Sequence, residues 1–190
     1  MKNNHYLTCL NYCLYKLYTD EIIAYPTESV FGLGCNPDSK RAIYKLLNIK
    51  KRDISKGFIL VASNYDQLKP YIEESKISLF IKQRMLFYWS LYNITFLLPA
   101  KSTVPFWITG DSSYVAVRIS NHISIINLCN YFGKPIISTS ANISGKKSCT
   151  SEVELIKQFN LNIPLLPGKL GFNNKNSRIL NLINGELIRD

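Results

Sequence analysis

Three polar segments of this sequence carry side chains that could bind or activate a ligand. The first runs from Tyr25 to Gly34, where a proline follows an apolar stretch and hydroxyls, a carboxylate and two glycines come next. At the end of a strand, such a loop can offer hydroxyl and backbone N–H groups to a polar ligand. The stretch Pro26-Thr27-Glu28 is equally typical of a turn or a helix start, so composition alone leaves both interpretations open.

The second segment is the basic triplet Lys50-Lys51-Arg52, at the end of a predicted helix. Lysine offers a compact charge and arginine a planar fork of donors, and a triphosphate can use both. Cations in the last turn also stabilise the helix dipole, and without further context this structural interpretation is the favoured one.

The third segment, Ser138 to Gly145, follows the predicted strand Pro135–Ile137 directly and reads STSANISG. A turn would explain Asn142 and Gly145 but not the whole run of hydroxyls. Packing does not account for so many polar side chains at the end of a buried strand. The run therefore predicts a pocket that offers uncharged donors to a small ligand.

The rest of the sequence excludes several common kinds of active site. Two histidines, His5 and His122, are too few for most hydrolytic machinery. The stretch Ser140–Ser148 lacks the first glycine of a phosphate-binding P-loop, and Gly32-Leu33-Gly34 lacks the third glycine of a dinucleotide fingerprint. The five cysteines form no C-x-x-C pair, so we expect reduced, mostly buried thiols and no metal site in the protein.

Apolar, β-branched runs alternate with segments of helical period along the chain. The predicted strands are Ile22–Tyr25, Phe58–Ala62, Ile94–Leu98, Val115–Ile119, Pro135–Thr139, Leu165–Leu166 and Ile179–Leu182. The predicted helices are Leu7–Leu17, Ser39–Lys50, Tyr65–Tyr71, Ile77–Phe87, Ile123–Tyr131 and Glu152–Phe159. Asp38 is expected to cap the second helix, Gly133 to end the fifth and Ser148–Ser151 to open the last. This alternation predicts an α/β fold with an open, twisted, mixed sheet, although the strand order cannot be read.

Length and composition indicate one domain spanning residues 1–190. No apolar run of eighteen residues occurs, and the N-terminal segment has the period of an amphipathic helix, so we expect a cytoplasmic protein without a membrane span. The net charge of +10 suggests a polyanionic partner such as RNA or a nucleotide. This charge is weak support, because a Lys-, Asn- and Ile-rich composition is typical of an AT-rich genome.

Five segments stand in the chain in the order AYPTESVFGLGCNPDS, LLNIKKRDISKGFILVASNYDQLKPYI, YVAVRIS, GKPIISTSANISG and NSRILNLINGELIRD. Together they resemble the YrdC/TsaC family, the bacterial threonylcarbamoyl-adenylate synthases. The resemblance extends from about Ile22 to the C-terminus. The family's K-x-R and S-x-N motifs correspond to Lys50-Lys51-Arg52 and Ser140-Ala141-Asn142. The length resembles that of the short, single-domain members.

The resemblance implies an open α/β sheet curled around a concave, positively lined face. It also implies a reaction between L-threonine, bicarbonate (or CO2) and ATP, in which the threonine amine is carboxylated and the carbamate oxygen attacks the α-phosphate. Pyrophosphate leaves, and a partner complex transfers the threonylcarbamoyl group to the adenosine beside the tRNA anticodon. Mg2+ is expected to bridge the phosphates rather than to sit in a cage of protein ligands.

The resemblance also implies a role for each residue that matches a family motif. Lys50 and Arg52 are the expected catalytic residues, in contact with phosphates and the carbamate. The expected substrate-binding residues are Thr27 for threonine, Thr95 and Arg118 on the same cleft, Ser138, Ser140 and Asn142 around the nucleotide and carbamate, and Ser177 on ATP. Two departures affect Thr95 and Ser177: Trp89–Asn93 replaces a Trp-Pro-Gly-Pro turn with one extra residue, and Asn176-Ser177 replaces Pro-Ser.

Two other functions compete with this one. A non-catalytic RNA-binding module would explain the charge and the aromatic content, but not the hydroxyl-rich strand end. A carbamoyl-adenylate enzyme of hydrogenase maturation shares this kind of domain, but such proteins are much longer and carry cysteine clusters that this sequence lacks.

Overall fold

The computed structural model describes residues 2–91, 93–159, 163–172 and 177–190, in which one eight-stranded sheet carries six α-helices. The strands are β1 (Ile23–Pro26), β2 (Phe31–Cys35), β3 (Ile59–Ala62), β4 (Ile94–Pro99), β5 (Tyr114–Ile119), β6 (Ile136–Ser140), β7 (Arg178–Asn181) and β8 (Leu187–Arg189). The helices are α1 (Lys2–Tyr18), α2 (Lys40–Lys50), α3 (Leu79–Leu91), α4 (Phe106–Thr109), α5 (Ile123–Phe132) and α6 (Glu152–Phe159).

The sheet is mixed, and its strands run in the order β1-β2-β6-β3-β5-β4-β7-β8. The pairs β3–β5 and β4–β7 are parallel, while the other neighbouring strands are antiparallel. This arrangement confirms the predicted α/β class. It also brings β2, β6, β3 and β5, which are distant in sequence, side by side at the centre of the sheet.

The two faces of the sheet pack against different helices, because successive side chains of a strand point to opposite faces. On β3, Leu60 belongs to a cluster with the apolar stripe of α2 and with residues of α3 and α6. Val61 belongs to a second cluster formed by α1 and α5. The second face is covered by those helices over only part of its area, and the remainder is lined by the residues described below.

Local sequence explains how α2 begins and ends. The Ser39 hydroxyl accepts a hydrogen bond from the Ala42 N–H, and Lys51 adopts the left-handed conformation at the C-terminal end. The expectation that Asp38 caps this helix is therefore wrong. The Asp38 carboxylate instead accepts hydrogen bonds from the Tyr71 hydroxyl and the Lys134 ammonium.

Most predicted elements are confirmed, and α6 has the predicted bounds. The predicted helix Tyr65–Tyr71 is wrong, because turns and a short 3-10 helix at Lys69–Tyr71 occupy this segment. Its buried residues recur every three positions, which is the period of a 3-10 turn, and Pro70 removes a helical N–H donor. The predicted strand Leu165–Leu166 is a single bridge from Leu165 to Ala24.

Three short elements were not predicted: β2, α4 and β8. Two glycines make β2 resemble a ligand-binding loop in the sequence, and its strand conformation depends on pairing with β1 and β6. Of the loop departures noted above, Tyr92 and Asn176 lie outside the described residues. No helix within the described ranges combines the length and the apolarity needed to cross a bilayer.

Candidate active site

Strand register places small and polar residues in one row across the sheet. Gly34 pairs with Ser138, Ser138 with Ile59, Ile59 with Ala116, and Ala116 with Leu97. Because side chains alternate between faces, residues two positions further along these strands, including Ser140 and Arg118, point to the same face. The hydroxyl run at the end of β6 and the arginine of β5 therefore share one surface.

A cavity of about 360 Å³ lies on this surface, a volume typical of small-ligand sites. Four cationic side chains line it, namely Arg52, Lys56, Arg118 and Arg189. Hydroxyl-bearing side chains form much of the remaining wall, among them those of Thr27, Ser138, Thr139, Ser140 and Ser177. No carboxylate occurs among the described residues that line it, so the cavity favours an anionic ligand.

Lys50 lies beside this cavity and is almost fully buried, with 3% of its surface exposed. Its ammonium donates to the backbone oxygens of Ser140 (2.5 Å) and Asn142 (2.7 Å) and lies 3.3 Å from the Asn142 side-chain oxygen. The Ser140 hydroxyl donates to the same side-chain oxygen at 2.6 Å. Burial, and to a lesser extent the nearby charge of Arg52, lower the pKa of Lys50 to about 8. Lys50 thus ties the end of α2 to the turn that follows β6.

Arg52 reaches the cavity from the turn after α2. One of its terminal nitrogens donates to the Gly57 carbonyl (3.0 Å), and its guanidinium carbon lies 5.3 Å from the centre of the Phe58 ring. Its Nε is buried and has no hydrogen-bond partner in the part of the chain that the structure describes, and burial lowers the pKa of the guanidinium. A buried donor without an acceptor raises the free energy of the folded protein, so this nitrogen is suited to donate a hydrogen bond to a ligand oxygen.

Arg118 is held by two side chains at the edge of the cavity. Its Nη1 donates to the Asn93 Oδ1 (2.8 Å), and its Nη2 lies 3.2 Å from the Glu28 Oε2. Burial raises the pKa of the Glu28 carboxyl, but the Arg118 charge and the Ser120 hydroxyl outweigh this effect and leave it below its usual value. Glu28 is therefore charged and neutralises part of the Arg118 charge.

Thr95, Ser177 and Arg189 form a third contact group. The hydroxyls of Thr95 and Ser177 lie 2.8 Å apart, and Arg189 donates to the Ser177 backbone oxygen through Nε (3.1 Å) and Nη2 (2.6 Å). Burial, followed by the charges of Arg118 and Arg52, lowers the pKa of the Arg189 guanidinium. Three arginines from different parts of the chain therefore lie close enough to repel one another in the absence of an anion.

The structure brings the predicted site residues together in two layers. Those that line the cavity are Thr27, Arg52, Arg118, Ser138, Ser140 and Ser177. Lys50, Asn142 and Thr95 stand directly behind this wall and contact its residues. Lys56 and Arg189 were not predicted from the residues. Arg189 lies near the end of NSRILNLINGELIRD, one of the resembling segments, but nothing in the local pattern of β8 marks it as part of a site.

This arrangement of cations and hydroxyls can bind phosphates and carboxylates, and it can hold two such anionic groups next to each other. Guanidinium groups offer forked donors to both kinds of anion, and hydroxyls can orient uncharged atoms. Phosphoryl and adenylyl transfer depend mainly on positioning and charge neutralisation, so the site requires no nucleophilic side chain for such chemistry.

Comparisons with known proteins agree with this geometry. The Sua5/YciO/YrdC family model, described as "Telomere recombination", matches residues 16–190. A threonylcarbamoyl-AMP synthase of Buchnera aphidicola subsp. Schizaphis graminum is 51% identical over 189 residues, which cover 100% of this chain and 99% of that relative. The threonylcarbamoyl-AMP synthase of Escherichia coli strain K12 is 40% identical, with the same coverage of both chains.

Among solved structures, P. abyssi Sua5 complexed with L-threonine superposes with a TM-score of 0.81 at 27% identity. The match covers 92% of this chain and 51% of that one, so this chain spans about half the length of that Sua5. Agreement of the family model, the full-length relatives and the fold establishes that the chain belongs to the Sua5/YciO/YrdC family.

Proposed function

We propose that this protein is a threonylcarbamoyl-AMP synthase, which forms threonylcarbamoyl-AMP and pyrophosphate from L-threonine, bicarbonate (or CO2) and ATP. Full-length relatives at 51% and 40% identity carry that name, and a structural neighbour binds L-threonine. The observation that carries the proposal is the cavity itself, where four cations and a wall of hydroxyls meet without a lining carboxylate among the described residues.

The reaction needs two anionic substrates in contact, and the cavity offers separate cations for each. The neutral threonine amine bonds to the carbon of CO2 and releases one proton to solvent, giving a carbamate. A carbamate oxygen then bonds to the α-phosphorus as the bond to pyrophosphate breaks. Arg52 and Lys56 lie on the wall formed by the turn after α2, while Arg118 lies on β5 beside Thr27. We assign the first wall to the phosphates and the second to the threonine carboxylate.

The remaining residues orient these groups. Ser138 and Ser140 contact the nucleotide and carbamate, while Lys50 and Asn142 hold the turn that carries Ser140. Ser177 contacts ATP with Arg189, and Thr95 fixes the Ser177 hydroxyl. Lys50 acts from behind the wall, where its ammonium fixes the turn and adds positive charge near the bound phosphates.

Mg2+ enters this scheme with ATP. Within the described part of the chain, no group of three or more His, Cys, Asp or Glu side chains is placed to hold a metal ion. Mg2+ would enter as part of the Mg-ATP substrate and would neutralise phosphate charge there. The product then passes to a tRNA-modifying transferase complex, and because that step serves tRNA we place the reaction in the cytoplasm.

Direct RNA binding is the second candidate function, and the net charge of +10 supports it. The two functions make different demands on the cavity, because an RNA-binding surface does not require buried hydroxyls such as those of Thr27, Ser138 and Ser177. A salt-sensitive RNA affinity without pyrophosphate release would identify the protein as an RNA-binding module.

Pyrophosphate release from Mg-ATP, with threonine and bicarbonate present, tests the proposal. We expect release to depend on both compounds and to be reduced to background when threonine is omitted. Release that continues unchanged without threonine would contradict the proposed function.

A further inference from the structure

Both terminal nitrogens of Arg118 contact protein side chains, one of them a carboxylate and the other a neutral amide. Glu28, which the Ser120 hydroxyl anchors, pairs with Nη2, whereas the neutral amide of Asn93 accepts from Nη1. The Arg118 side chain is only 9% exposed, and its buried Nε has no hydrogen-bond partner among the described residues. The guanidinium therefore still has donors available for a ligand that enters the cavity.

One contact cannot fix the plane of a guanidinium, because the group can pivot about a single ion pair. Two contacts on different nitrogens fix both its position and its tilt. Asn93 supplies the second contact without a second negative charge. A carboxylate in its place would further neutralise Arg118 and weaken its attraction for an anionic substrate.

The fold explains why Asn93 can reach Arg118. Asn93 immediately precedes β4, which pairs antiparallel with β5, the strand that carries Arg118. The start of β4 is held by Trp89, which is 2% exposed and whose indole N–H donates to the Ile94 carbonyl at 3.2 Å. The Asn93 amide is thus presented to Arg118 from the residue next to this contact.

We propose that Asn93 is a positioning residue for the amino-acid substrate. Its side-chain oxygen sets the plane of the Arg118 guanidinium so that the remaining donors receive the substrate carboxylate. This role rests on the proposed function, because it presumes that Arg118 binds threonine. It concerns substrate affinity rather than the chemical step.

Two variants of similar shape separate the hydrogen bond from packing. Asn93→Leu removes the acceptor, and Asn93→Asp keeps it. We expect Asn93→Leu to raise the KM for L-threonine and the calorimetric Kd for L-threonine about tenfold, with kcat and the KM for ATP within about threefold of wild type. Asn93→Asp keeps the acceptor but adds a negative charge beside Arg118, so its KM for L-threonine should lie between those of wild type and Asn93→Leu. Asn64→Leu, at an exposed amide that does not line the cavity, is the matched control and should change none of these values.

A double-mutant cycle tests whether Asn93 acts through Arg118. In an Arg118→Lys background the guanidinium plane no longer exists, so Asn93→Leu should add less than a twofold change. An equal effect in both backgrounds, or a wild-type threonine affinity in Asn93→Leu, would overturn the positioning role. If Asn93→Leu does not fold, as judged by its thermal transition, Asn93→Ala replaces it with the same expectation.

The outcomes also separate this inference from the proposed function. A wild-type protein that neither binds L-threonine nor releases pyrophosphate would overturn both. A wild-type protein that does both, with affinity unchanged in Asn93→Leu, would overturn only the role of Asn93.

Discussion

Lys50 is the last residue of α2, and its cationic side chain is buried in the interior. A buried charge is costly unless hydrogen bonds replace its water, and three oxygens from Ser140 and Asn142 do so here. Its position in sequence suggested an exposed side chain that stabilises the helix dipole. The burial arises because the turn after β6 contacts the end of α2, where the Ser144 N–H donates to the Lys50 carbonyl, and the basic triplet by itself does not reveal this contact.

The lowered pKa of Lys50 predicts a specific dependence of stability on pH. Below about pH 8 the folded and unfolded chains both carry the charge, and between about 8 and 10.5 only the unfolded chain keeps the proton. The free energy of unfolding of the wild type, relative to Lys50→Met, should therefore rise across this window by up to about 1.4 kcal/mol per pH unit. Urea denaturation of both proteins at pH 7.5 to 10 measures the difference. A difference that stays constant, or falls, would contradict the buried charge.

Arg52 should matter for turnover more than for folding. It makes one hydrogen bond, to the Gly57 carbonyl, and faces the cavity. We expect Arg52→Gln to reduce kcat/KM for ATP by at least about a hundredfold, since a guanidinium on a transferring phosphate contributes several kcal/mol. Its thermal midpoint should change little. Arg41→Gln is the control, because Arg41 forms an exposed ion pair with Glu21 and should retain full activity.

At the scale of elements, β2 shows how a glycine-rich strand builds the site. A Cβ at Gly34 would lie 2.6 Å from the Ile137 carbonyl oxygen and 2.8 Å from the Tyr25 ring, so only glycine allows this close approach. Gly34 pairs with Ser138, so the position that excludes any side chain lies directly behind the cavity wall.

Gly34→Ala should therefore lower both stability and affinity for substrate. We expect about 1–3 kcal/mol of destabilisation from overpacking, together with a raised KM for ATP as β6 shifts. Gly133→Ala, at the left-handed end of α5 with open space around it, should cost stability alone. Unfolding and KM measurements on both variants check this contrast. A wild-type KM for ATP in Gly34→Ala would show that β2 does not position the wall.

The short strand β8 contributes a cavity residue through Arg189. Its guanidinium contacts the Ser177 oxygens, whereas Arg178 on the neighbouring strand forms an exposed ion pair with Asp190. We expect Arg189→Gln to raise the KM for ATP about tenfold or more and Arg178→Gln to leave it unchanged. Equal effects of the two substitutions would mean that Arg189 acts only through its contribution to the net charge.

The local sequence predicted the strands and helices whose apolar residues recur with a clear period. It missed the features that depend on contacts with residues distant in sequence. The alternating apolar runs predicted β3 to β6, and the amphipathic repeats predicted α2, α5 and α6. The hydroxyl run after β6 was recognised because it is polar where packing predicts apolar residues. In contrast, the strand conformation of β2 and the place of Arg189 depend on pairing across the sheet, and the burial of Lys50 depends on contacts some ninety residues away.

At the scale of the whole molecule, the fold concentrates part of its positive charge at one place. The chain carries a net charge of +10, and four of its cations line one cavity whose described wall has no carboxylate. Burial lowers the pKa of Arg189, and the charges of Arg118 and Arg52 lower it further because like charges repel one another. Bound phosphates would relieve this repulsion, so anionic substrates should stabilise the folded protein.

The central claim is that this cavity joins an amino acid, bicarbonate and ATP in one product. The most direct measurement is the mass of the nucleotide formed from L-threonine, Mg-ATP and 13C-labelled bicarbonate. The account predicts threonylcarbamoyl-AMP carrying one additional mass unit, because a single carbon comes from bicarbonate. AMP or ADP as the sole nucleotide product, or a threonine adduct that lacks the label, would contradict it.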